Sequence, residues 1–96
     1  MNWRDLHGAR RVNPDVIHDI DGRAWSRRPA DSVKSWRDSK WVTADGHELE
    51  WRKASPGDTP DTGWYLYGNG IFGAWMAKHL YEAIFEAGEK INGASR

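Results

Sequence analysis

The side chains best suited to acid–base or metal chemistry in this chain are four histidines, His7, His18, His47 and His79, and their spacing argues against both roles. No pair has the three-to-five-residue separation that brings two imidazoles onto one metal, and with no cysteine among 96 residues a thiolate site is excluded too. His79 can reach Glu82 or Glu86 along a helix, which is ordinarily a solvated contact. Asp19-Ile20-Asp21-Gly22 has the opening of a calcium loop without its remaining acidic ligands or closing glutamate. Ser26, Ser32, Ser35, Ser39 and Ser55 stand in no nucleophile-elbow pattern. Binding rather than catalysis is therefore expected, with no cofactor, no metal and no catalytic residue.

Gly68-Asn69-Gly70-Ile71-Phe72-Gly73 has the glycine spacing of a dinucleotide-binding turn. The chain is too short for a doubly wound sheet, and no strand-borne acid follows at the required distance, so the glycines read as turn and close-packing residues. A minor alternative is anion or small-nucleotide binding by the free N–H groups of a helix starting there.

Aromatic residues are the main resource of the chain. Seven tryptophans, Trp3, Trp25, Trp36, Trp41, Trp51, Trp64 and Trp75, stand beside only fifteen Leu, Ile, Val and Phe residues. Each ring removes roughly 150–250 Å² from water when buried, so indoles must supply much of the core and of any contact surface. Basic residues interleave with these rings between Arg23 and Lys53, a mixture that holds single-stranded nucleic acid by stacking and phosphate contact. That segment carries eight basic and five acidic residues, and fourteen cations cancel fourteen anions over the whole chain. A bland cation–π arrangement is the preferred reading of it, and a nucleic-acid interface of Arg27, Arg28, Arg37, Lys40, Arg52 and Lys53 is the runner-up.

Local patterns place these residues on elements. Lys40–Ala44 and His47–Arg52 flank Asp45-Gly46, which predicts a hairpin with a two-residue turn. That register pairs Val42 with Leu49 and Trp41 with Glu50, so Val42, Ala44, Leu49 and Trp51 face the core while Trp41, Thr43, Glu48 and Glu50 face outward. Asn13 as cap, Pro14 at the first position and the stripe Val16, Ile17, Ile20 predict a short helix, although Asp21-Gly22 also permits a hairpin there. Residues 54–63 read as a loop and Trp64–Tyr67 as a strand. Phe72, Met76, Leu80, Ile84 and Ile91, with Ala83 and Ala87, recur at helical intervals and predict a helix over 70–92. The expected fold is a single α+β domain: an N-terminal short helix or hairpin and irregular segment over 1–35, a three-stranded antiparallel sheet over 36–67, and a C-terminal amphipathic helix.

In that arrangement Trp41, Tyr65 and Tyr67, edged by Glu48 and Glu50, form an outward aromatic platform for a protein partner. The competing expectation is that residues 1–35 fold over the sheet and enclose those rings. Trp75, Tyr81 and Phe85 form a second patch suited to homodimerisation. The opening residues lack a signal-peptide pattern and no run spans a membrane, so a cytoplasmic location is expected. Nine Arg to five Lys, with frequent Asp, Ala and Gly, is the usage of GC-rich genomes, and a phage or bacterial accessory or inhibitor protein suits it.

Overall fold

A computed structural model describes residues 8–28, 40–53 and 62–94. They form one antiparallel sheet of seven strands in the order β1-β2-β3-β4-β5-β6-β7, each paired with its neighbour in the chain, and one helix. The strands are β1 (Arg10–Asn13), β2 (Val16–His18), β3 (Ala24–Arg28), β4 (Lys40–Val42), β5 (Glu48–Arg52), β6 (Gly63–Gly68) and β7 (Ile71–Ala77), and the helix α1 runs from Leu80 to Ala94. The α+β class stands, but the three-stranded sheet does not: four further strands come from segments expected to be a short helix or hairpin, irregular chain or the start of the long helix, and of the two N-terminal alternatives the hairpin about Asp21-Gly22 is the one present.

The N-terminal correction turns on Asn13. Its side-chain oxygen accepts the Asp15 N–H at 2.8 Å, the contact expected of a helix cap, yet here it closes the turn between β1 and β2. Asx side chains serve caps and turns by the same hydrogen bond, so the bond alone does not choose between them. Ile17 pairs with Trp25 across the next hairpin, and both are fully buried. Residues 10–28 thus extend the sheet instead of covering its outer face.

The glycine motif is the second correction. Gly68 pairs with Ile71 around a two-residue turn in which Asn69 (φ 51°) and Gly70 (φ 90°) both have positive φ. Asn-Gly is the favoured sequence for that hairpin turn. No helix starts there, so the alternative of an anion or nucleotide site at a helix N-terminus falls, and the glycines are turn residues as expected. Ile71–Ala77 is a strand interrupted by two irregularities, opposite Trp64/Tyr65 and Leu66/Tyr67. The helical stripe is real only from Leu80 onward, where Ala83, Ile84, Ala87 and Ile91 are buried. Phe72, expected in that stripe, is 91% exposed.

The helix covers one sheet face. Ile17, Trp25, Trp41, Leu49, Trp64 and Leu66 from the strands join Ala83, Ile84, Ala87 and Ile91 in one apolar cluster, with Trp51 packed against it. Trp51 and Trp64 meet edge to face with centroids 5.6 Å apart. Polar contacts lock the far end of the helix to the β2–β3 turn. The buried Asp19 carboxylate accepts the N–H groups of Asp21 (3.0 Å) and Arg23 (2.9 Å), the Arg23 guanidinium (2.7 Å) and the Trp25 indole N–H (3.2 Å). Arg23 then donates to Asn92 on α1, and Asn92 donates to Asp21. Protein donors thus occupy Asp19, the residue that opens the calcium-like stretch, and no group of three or more metal-ligating side chains occurs among the described residues.

Candidate functional site

Which face each aromatic occupies depends on the β4–β5 turn. Thr43 N–H donates to His47 O at 2.9 Å and Gly46 N–H to Thr43 O at 3.2 Å, so the loop holds three residues, Ala44, Asp45 and Gly46, instead of two. Only Gly46, with φ 95°, has positive φ in this loop. The register accordingly pairs Trp41 with Leu49 and Val42 with Glu48. A slip of one residue sends alternate side chains to opposite faces. Trp41 therefore leaves the outer platform for the core, where it is 2% exposed, and Val42 takes an outward position.

The outer face is built of two cross-strand rows. One runs Arg28, Lys40, Glu50, Tyr65, Trp75; the other runs Ser26, Val42, Glu48, Tyr67, Phe72. Both rows change from a glutamate to a tyrosine on passing from β5 to β6. Tyr65 faces outward as expected but is only 6% exposed, with the Arg52 guanidinium 5.1 Å from its ring. Arg52 also donates to the Tyr67 hydroxyl at 3.1 Å, an interaction that favours its charged form. Trp75 is 37% exposed, and its N–H donates to Thr62 O at 3.2 Å. Phe72 lies at the hairpin end of the row beyond Tyr67. Among the described residues, the exposed aromatic surface of this face is thus Phe72 and Trp75 with half-buried Tyr67, flanked by Glu48, Glu50 and Arg52.

The expected second patch is divided. Trp75, placed by its spacing on the helix, belongs to β7 and faces away from α1, whereas Tyr81 and Phe85 are half-buried on the helix itself. The basic set is also dispersed. Arg27 shares the core-side face with Trp41 and is bound to Asp15 at 2.8 Å, while Arg28 and Lys40 lie on the outer face. Lys40 pairs with Glu48 at 3.6 Å, Arg52 is engaged by the two tyrosines, and Lys53 is exposed after β5. Arg37 lies outside the described residues. Alternation along β3 and β4 divides these cations between two faces, so they do not form one phosphate-binding patch.

His47, one of the four scattered histidines, belongs to a polar cluster. It is buried, its Nδ1 lies 3.1 Å from Asp45 Oδ1, and the Thr43 hydroxyl donates to the same carboxylate oxygen. Because an ionised carboxylate only accepts, the imidazole proton sits on Nδ1, leaving Nε2 to face the Asn69 amide at 3.5 Å. A nucleophile–base pair needs the hydroxyl on the free ring nitrogen. Here hydroxyl and imidazole converge on one acid, which makes a clasp for the turn and no activated nucleophile.

The clasp has an acid limit. The Thr43 hydroxyl first, and His47 second, hold the Asp45 carboxyl below its ordinary value. A depressed folded-state value stabilises the turn above the unfolded carboxylate pKa, and this contribution is lost as pH falls through the folded one. The protection of the Gly46 and His47 amides against exchange, relative to the intrinsic rate at each pH, should therefore fall on acidification below about pH 4, and Asp45→Ala should remove most of that fall. An unchanged profile in the variant would assign it to another group.

No family model, curated protein or solved structure matches this chain. No helix among the described residues is long and apolar enough to cross a membrane.

Proposed function

We propose that this chain is a non-catalytic binding domain that docks a protein partner on the aromatic end of the outer sheet face. The observation that carries this reading is Phe72, 91% exposed in a seven-residue strand without a single charged side chain. A ring held in water at the end of a sheet contributes nothing to the core, whereas aromatic residues flanked by charge anchor protein interfaces. Trp75 and Tyr67 give the anchor breadth, and Glu48, Glu50 and Arg52 supply a polar rim. Phe72 and Trp75 take over the role expected of Trp41 and Tyr65. Dispersal of the cations favours protein over nucleic acid as the partner.

Phe72→Ser tests the proposal. Its stability should stay within about 0.5 kcal/mol of the parent, as for other surface changes, while affinity for a partner captured from nuclease-treated lysate should fall at least roughly tenfold. Self-association, measured by sedimentation, is the case in which the partner is a second copy, and the same variant should abolish it. Capture and particle mass unaffected by Phe72→Ser would overturn the reading.

A further inference from the structure

On the opposite face, near the start of α1, a cavity of about 410 Å³ is lined by Arg11, Arg27, Trp41 and Leu80. This is the sheet side that carries the core, where the helix packs and where solvated cations have no ordinary reason to point. Register puts them there: Arg11 pairs with buried Ile17 and Arg27 pairs with buried Trp41.

We infer that this cavity binds a small organic oxyanion, a carboxylate or a phosphate monoester, between the two guanidinium groups and the Trp41 indole. Three observations converge. First, the polar side chains of the lining are the two guanidinium groups, which donate hydrogen bonds and cannot accept them. Second, the charge is unbalanced: Asp15 binds Arg27 Nε and Nη2 at 2.8 Å, but among the described residues no carboxylate lies within ion-pair distance of Arg11. Arg11 instead donates to the Pro14 carbonyl at 3.0 Å and lies 5.6 Å from the Trp41 ring. Third, the Trp41 ring lines the same cavity beneath the Arg11 guanidinium, an apolar wall for the organic part of such a ligand. The volume lies within the usual range for small-molecule sites. Planar guanidinium forks match both carboxylate and phosphate oxygens, which is why both sources stay in the test.

The full chain, labelled with ¹⁵N, would be titrated separately with phenyl phosphate, benzoate and neutral benzamide while the assigned Trp41 indole N–H resonance is followed. A saturable shift with phenyl phosphate alone assigns a phosphate ligand, one with benzoate alone a carboxylate, and either response, or both, supports the site. Arg11→Gln should weaken binding roughly tenfold, with partial recovery in Arg11→Lys. Arg11 is exposed, so the variant should keep its fold, which its amide spectrum reports. Phe72→Ser, on the other face, should bind the anion like the parent, which separates this site from the protein-docking surface. No shift up to about 20 mM of either anion, an equal response to benzamide, or undiminished binding by Arg11→Gln would overturn the inference.

Discussion

Trp41→Ala is expected to destabilise the fold by about 3–5 kcal/mol, the range for removing a large buried aromatic. The indole is 2% exposed and packs with Trp25, Leu49 and Ile84 in the core cluster. Small domains have only about 5–15 kcal/mol in total, so the variant should unfold at a much lower denaturant concentration with the slope of the transition unchanged. Phe72→Ala supplies the contrast, because its ring is already in water and its loss should move the midpoint little. A Trp41→Ala midpoint equal to that of the parent would put the indole on the outer face and restore the two-residue turn.

Gly68→Ala should cost about 3 kcal/mol or more, combining backbone strain with a steric clash. Gly68 has φ 113°, and a Cβ there would lie 2.2 Å from Gly46 O and 3.0 Å from His47 Cα. Both neighbours are backbone, so the two hairpin tips would have to separate. The Asn69 amide would then lose the Asp45 carbonyl, to which it donates at 2.9 Å. Gly70→Ala isolates the strain component: its φ is 90° but nothing lies within 4 Å of the added carbon, and about 1 kcal/mol is expected. Thermal unfolding of both variants gives the comparison. Equal losses would show that contact between the hairpin tips contributes no stability.

Much of the fold was legible locally, and the errors share a cause. Both Asp-Gly sites do turn the chain, but each closes a three-residue loop because the residue before it carries an acceptor. Thr43 Oγ1 accepts the His47 N–H at 3.0 Å, and Asp19 Oδ1 accepts the Arg23 N–H at 2.9 Å. The pattern of Asp or Thr, any residue, Asp, Gly was present in the sequence and signals the longer loop, and with it the core position of Trp41. Asn69-Gly70 was an equally plain hairpin signal, obscured because Phe72 and Met76 happen to continue the helical spacing of Leu80 and Ile84. Glu48, Glu50, Tyr65 and Tyr67 took the outer face as expected, since β6 alternates regularly against β5. The exposure of Phe72 was illegible because it depends on β7 lying at the sheet margin, a tertiary fact. The Arg11–Arg27–Trp41 cavity depends on pairings between three strands, two of which were expected to be helix or irregular chain.

The order of the elements along the chain bears on how the protein is made. Every strand pairs with its immediate predecessor, so the sheet can assemble progressively as the polypeptide leaves the ribosome. The helix that shields its tryptophan-lined side follows all seven strands, as residues 80–94. Until α1 packs, the indoles of Trp25, Trp41 and Trp64 and their aliphatic neighbours have no cover on that face. Shielding that face from aggregation therefore depends on the fifteen residues of α1.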